Sequence, residues 1–186
     1  MSAHAHLDAS NKKVALLIAV LALLLALSET FGQSSQTQAV GSNIEASNLW
    51  AFFQAKTIRL TTVRTAAEQA ELQLASATAE AKAAIAKRIE EWRKTAARYE
   101  SEPETQEGRK ELAARAKAAE AKRDRSLAAY HQFETASAAL QIAIVLASAQ
   151  VITGVAALGW TAGALGVLGL TFMLIGFIAP TAVHLF

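Results

Sequence analysis

The chain has no cysteine, which removes disulfide bonds, thiolate catalysis and cysteine metal centres together while saying nothing about compartment. Aromatic residues make up only 6% and charged residues 18% of its 186 positions, against 53% hydrophobic, a balance unlike that of an average soluble domain. Charge is missing from whole stretches. Val14 to Leu27 and Leu140 to Phe186 contain no Lys, Arg, Asp or Glu, and residues 33 to 139 carry nearly all of them. A bilayer imposes such segregation, because each charge at the centre of a spanning helix costs about 3 kcal/mol. Also missing are a Gly-rich phosphate loop, a Ser/His/Asp arrangement, a His-Glu-x-x-His helix and paired carboxylates in an apolar setting. The formal net charge of +2, with acids and bases alternating, is too small to steer nucleic acid. These absences lead us to expect no enzyme, no cofactor and no nucleic-acid partner.

What is present reads as an all-α membrane protein with three transmembrane helices and a long antiparallel Ala-rich coiled-coil hairpin between the first and second. Residues 1–13 are small and polar and form a flexible tail; His4 and His6 stand as a His-x-His pair but have no further ligand to fix a metal. Lys12 and Lys13 then abut fourteen apolar residues, about 21 Å of helix, short of the ~30 Å hydrocarbon core. Continuing through Phe31 gives about 27 Å, so the first span is placed at 14–31 with Glu29 near an interface. A signal peptide is the rival reading, since a basic start, an apolar core and Ala26-Leu27-Ser28 fit that grammar; a retained helix is the expectation adopted. Residues 32–42, small, polar and bracketed by glycines, read as a connector.

From Leu49 the apolar positions recur as Leu49, Phe53, Leu60, Val63, Ala67, Ala70 and Leu74, alternating near three and four residues if Lys56 is admitted to the seam. The seam drifts to Ile85, Ile89, Trp92, Ala96 and Tyr99. At Ser101-Glu102-Pro103-Glu104 a capping box and a first-turn proline predict a new helix, running through Leu112, Ala116, Ala119, Leu127, Tyr130 and Phe133. The hairpin then occupies 43–139 with its turn near 100–104, and Ser101–Leu140 pairs with Thr61–Glu100. That pairing leaves Ile44 to Leu60 at the membrane surface, within an interface segment taken as 44–64, with Trp50, Phe52 and Phe53 at headgroup level and Lys56, Arg59 and Arg64 directed to phosphates or water.

Beyond Leu140 the 47 apolar residues are too many for one span. A turn at Gly159–Gly163 gives helices at 140–159 and 164–186. Small residues including Gly154, Gly159, Gly163, Gly166 and Gly169 suit close helix packing in lipid. Lys12 and Lys13 favour a cytoplasmic N-terminus and a periplasmic hairpin, although Lys122, Arg123 and Arg125 pull the other way.

The blocks NKKVALLIAVLALLLALSET and NIEASNLWAFFQAKTIR resemble those of an uncharacterised bacterial membrane family catalogued as domain of unknown function 4337. The resemblance covers almost the whole chain. It implies three membrane helices around a helical middle region in the bacterial inner membrane, and brings no activity, substrate or catalytic residue. The polar groups in or beside the spans are Glu29, Gln141, Gln150, Thr153 and His184, and an ionisable group at a membrane edge makes Glu29 the candidate functional residue. Gln141 and Gln150, nine apart, face opposite sides of one helix. Two functions fit. One is a membrane-anchored scaffold or interaction protein, homo-oligomeric or bound to another membrane protein. The other is an accessory subunit or small oligomeric channel or transporter with Glu29 at the mouth of a path.

Overall fold

A computed structural model describes the backbone of residues 9–182; His4, His6 and His184 lie outside it, as does most of the expected tail. Among the described residues the chain is all helical: α1 is Ala9–Leu74, α2 Ala79–Glu100, α3 Arg109–Thr153 and α4 Ala156–Ile178. Three of the four, α1, α3 and α4, are long and apolar enough to cross a membrane. At 23 residues α4 is about 34 Å long, enough for the hydrocarbon core.

Several boundaries differ from the sequence expectation. Residues 32–42 are not a connector but part of α1, which runs 66 residues without a break. The reason is visible in its buried positions. Val14, Leu21, Ser28, Gly32, Ala39, Ser42, Ala46, Leu49, Lys56, Leu60, Ala67 and Ala70 are all buried and keep one four-three spacing. Small residues at 28, 32, 39 and 42 continue a packing face rather than interrupt a helix. Alanine and leucine elsewhere supply the helix propensity.

The last turn also moves. Gly159 and Gly163 are helical within α4, and the chain reverses instead at Gly154, which adopts a φ of +71°. Only glycine takes that left-handed conformation at little cost, and the Gly154 amide donates to the Gln150 carbonyl at 2.8 Å to close α3.

The chain forms two compact units: Met1–Val40 with Arg123–Phe186, and Gly41–Lys122. In the first, α1 and α3 run antiparallel, joined by Ser28 Oγ donating to the Phe133 carbonyl and Ser126 Oγ to Gln38 Oε1. Leu127, expected on the seam, is exposed, and Ser126 is buried in its place. Helix α4 lies against both. One apolar cluster gathers Val14, Leu21, Leu140, Ala143, Ala147 and Ala162; another gathers Phe133, Ala136 and Met173 with Phe31 and Phe172.

In the second unit the cross-helix contacts do not follow the expected pairing of residues 61–100 with 101–140. Both α2 and α3 return along α1. Arg93 meets Glu71 at 2.7 Å and Arg64 meets Glu100 at 3.3 Å, tying α2 to the C-terminal third of α1. Arg109 reaches Thr57 and Trp50 reaches Glu120, tying α3 to the segment before it. The reversal therefore falls at 75–78, where Thr78 caps α2 by accepting from the Ala81 amide. The segment 101–108 is an elbow within the returning arm.

Candidate functional site

The first unit contains a groove of about 340 Å³ around Glu29, at the small end of ligand-sized cavities. Helix α1 contributes Ser28, Glu29, Gly32, Gln33 and Gln36, and α3 contributes Tyr130, Phe133, Glu134 and Ser137. It exists because Ser28 and Gly32 are small: a Cβ on Gly32 would already stand 3.4 Å from Phe133 Cβ. Glu29 Oε1 accepts from Gln141 Nε2 at 3.3 Å, and Glu134 accepts from the Tyr130 hydroxyl at 3.4 Å, with His131 Nδ1 3.6 Å from its other oxygen. Two carboxylates, amides and a phenol beside Phe133 can receive a cation or polar group. Ser28 is committed to a backbone carbonyl at 2.9 Å, so it is not an activated nucleophile. Among the described residues no cluster of three or more His, Asp or Glu side chains could hold a metal ion.

Gln141 and Gln150 do face different neighbours, as their spacing requires: Gln141 reaches Glu29 on α1, and Gln150 lies under Gly159 of α4. Of the glycines expected to pack, Gly166 and Gly169 do. A Cβ on Gly166 would fall 2.6 Å from Leu21, and one on Gly169 2.8 Å from Leu140 and 3.2 Å from the Ala136 carbonyl. Gly159 packs likewise on the Gln150 side chain, and Gly176, another of the recurring small residues, on Phe133. Two others do not: Gly154 makes the turn, and the space beside Gly163 is open.

The second unit is organised around Lys56. The admission of this residue to the seam is realised: Lys56 is only 6% exposed, so it is not directed to phosphates or water. Its ammonium stands 3.7 Å from Glu107, 5.4 Å from the Phe52 ring centroid and 5.3 Å from that of Tyr99. Two aromatic faces and a carboxylate compensate the charge that burial would otherwise penalise. Phe53 and Trp50 pack edge to face and join Ala46, Leu49, Leu112, Ala116 and Ala119, with the Trp50 indole donating to Glu120 at 2.9 Å. Phe52 and Arg59 are exposed, and Arg64 is paired with Glu100.

Beside Lys56, the elbow is pinned by Arg109 and Glu111. Arg109 donates to Thr57 at 2.9 Å and to Glu100 at 3.1 Å, with its guanidinium 5.0 Å from the Phe53 ring. The capping box expected from Ser101 and Glu104 does not form. Ser101 instead closes α2, and its hydroxyl donates to Glu111 at 2.6 Å while the Glu102 amide donates to the other oxygen at 3.1 Å. The Ser101 hydrogen bond is the main cause that holds the Glu111 carboxyl below its ordinary value; burial opposes it, and backbone amide bonds add to the lowering. Gly108 has no room for a Cβ between Glu111 and the 101–102 backbone, so only glycine fits there. Arg98 clamps Glu102 from outside at 2.6 and 2.9 Å. Proline at 103 marked this bend in the sequence; nothing local marked Glu111 as its anchor.

The family model described as domain of unknown function (DUF4337) matches residues 10–179. No curated protein and no solved structure matches the chain.

Proposed function

The chain belongs to the DUF4337 family, a domain of unknown function, and from that premise we propose that it is a membrane-anchored scaffold that works as a homo-oligomer, without catalytic activity of its own. The observation that carries this reading is the contrast between span-length apolar helices and the charged unit Gly41–Lys122, whose interior is a narrow seam filled by Ala, Leu and a caged lysine. The outer faces of such a seam are exposed helix surface on which a second copy can pack. The lipid partner is the bacterial inner membrane, with Lys12 and Lys13 on the cytoplasmic side and the charged unit in the periplasm. Single-molecule photobleaching of the labelled full chain in native membrane vesicles tests it. Two or more bleaching steps per particle are expected; single steps throughout would remove the oligomeric scaffold.

A second reading is favoured by the groove: two carboxylates, Glu29 and Glu134, on one cavity beside the apolar spans suit the mouth of an ion path. Proteoliposomes decide between the two. Cation flux lost on Glu29→Gln supports the path, and flux no greater than that of empty vesicles removes it.

A further inference from the structure

Residues 14–40 of α1 and residues 126–182 of α3 and α4 contain only two side chains of the Lys, Arg, Asp and Glu class, Glu29 and Glu134. Although they lie about a hundred residues apart in sequence, both line the one groove of about 340 Å³ between α1 and α3. Among the described residues neither meets a Lys or Arg: Gln141 donates to Glu29, and Tyr130 and His131 stand against Glu134. Two carboxylates sharing a groove at the edge of apolar helices repel each other, and a cation from outside the chain relieves that repulsion.

The depth of the groove is that of lipid headgroups. Phe177, in the last turn of α4, meets Phe31 and Phe133 with ring centroids 4.6 and 5.0 Å apart, so the groove stands level with the end of a span. Its walls come from α1 and α3 alone, so α4 does not cover it. From Glu29 a track then leads along the apolar part of α1. Stepping back three, four, three and four residues visits Ala26, Ala22, Ala19 and Ala15, all exposed and all on the Glu29 face of the helix. On α3 the same spacing leads from Glu134 through Ala138 and Gln141 to Val145 and on to Ile152, exposed at 67% and 86%. The alanine track is about 21 Å long, more than the ~15 Å of hydrocarbon in one leaflet.

We propose that the groove holds the primary-ammonium headgroup of a zwitterionic phospholipid, with one fatty chain laid along the alanine track. This rests on the membrane-anchored reading above, not on self-association, and gives Glu29 a lipid to bind instead of a path to guard. An ammonium has three N–H donors, and Glu29 and Glu134 supply charged acceptors for them, with the Gln33 and Gln36 amides beside. An anionic headgroup would be repelled. A metal ion fits less well, because no group of three or more acidic or imidazole ligands gathers among the described residues.

Native mass spectrometry of the full chain released from detergent micelles, titrated with phosphatidylethanolamine and phosphatidylglycerol of identical fatty chains, tests this. Phosphatidylethanolamine should bind about tenfold more tightly, the factor that one charge-assisted hydrogen bond contributes. Glu29→Gln and Glu134→Gln keep the side-chain shape and should each narrow the difference, and the double variant should bind both lipids alike with unchanged helix content by circular dichroism. Ala22→Trp, which fills the track at an exposed position, should weaken both lipids together. Equal binding of the two lipids by the unsubstituted chain, a preference that survives the double substitution, or unchanged affinities in Ala22→Trp overturns the proposal. So does displacement of the lipid by magnesium or by glycerophosphoethanolamine at equal concentration, which would assign the groove to a free cation. Flotation with liposomes separates the two readings: a chain that floats without lipid preference loses only this site, and one that does not float loses the membrane anchor as well.

Discussion

Along α1 the buried positions keep one spacing from Val14 to Ala70, yet what packs on them differs between the two units. Against the first part lie α3 and α4 together, and the inward positions of α4 are Ala162, Gly166, Gly169, Met173 and Gly176. Against the part beyond Gly41 lie Leu112, Ala116 and Ala119 of α3, bordered by Trp50, Phe53 and charged pairs. Lipid is as apolar as leucine, so burying a large side chain between membrane helices gains little, and close backbone approach through glycine gains more. Water makes the opposite demand. There the seam must remove apolar area from solvent, and long charged side chains can bridge its edges.

The largest expected effect tests that contrast directly. Leu112→Ala, at a fully buried position of the charged unit, should cost about 3 kcal/mol through lost burial and the cavity left behind. Leu140→Ala, equally buried among the apolar helices, keeps only the cavity part and should cost less. Thermal unfolding of both variants in the same detergent measures this, and an equal loss would break the comparison. Gly169→Leu comes next. It must displace Leu140 and the Ala136 backbone, costing about 2 kcal/mol, whereas Gly163→Leu enters open space and should leave the melting curve unchanged.

At Lys56 the chemistry of the charged unit can be separated from its packing. Lys56→Met keeps the stem between Phe52 and Tyr99 and is expected to be neutral or slightly stabilising, while Lys56→Glu sets a carboxylate beside Glu107 and two aromatic faces and should destabilise by about 2 kcal/mol or more. Urea titration of the two variants checks the difference. The smallest effect is that of pH on the elbow. Because the folded Glu111 carboxyl is held below its ordinary value, its contribution is complete above that ordinary value and is lost as pH falls through the depressed one. Hydrogen exchange at the Glu102 amide should accelerate, relative to its intrinsic rate, on acidification through that window. In Ser101→Ala, which removes the main cause of the depression, the acceleration should begin at higher pH.

Much of this was legible beforehand. The apolar runs announce helices of membrane length, and the spacing from Leu49 to Leu74 announces the seam, down to the awkward lysine within it. The misreadings have a common cause. Gly32 and Gly41 looked like breaks because glycine and small polar residues usually end helices in water, but Gly32 and Ser28 are small where α3 comes close. The reversal at 75–78 carries little local signal, because Ala-Ser-Ala-Thr holds neither glycine nor proline and only the cap at Thr78 marks it. Spacing along the chain points from Ser101 to Glu104, three residues on, whereas Glu111 reaches Ser101 from the next helix.

The candidate groove was half readable. Glu29 stood out as an ionisable group at the end of an apolar run. Glu134 and Tyr130, about a hundred residues later, could not be placed beside it without knowing the register of α3 on α1. The interface residues divide similarly: their amphipathic character was evident, but the direction each side chain takes was not.

By itself, then, the sequence determined helical content, the three apolar segments and the frame of α1, because propensity, hydropathy and periodicity are properties of neighbours along the chain. Tertiary structure decided where helices end, which glycines turn and which pack, and that Lys56 is enclosed by Phe52, Tyr99 and Glu107. Those outcomes depend on what stands opposite. Gly166 and Lys56 acquire their roles only because a partner helix brings Leu21 to 2.6 Å from where a Cβ would stand and the Tyr99 ring to 5.3 Å from the ammonium.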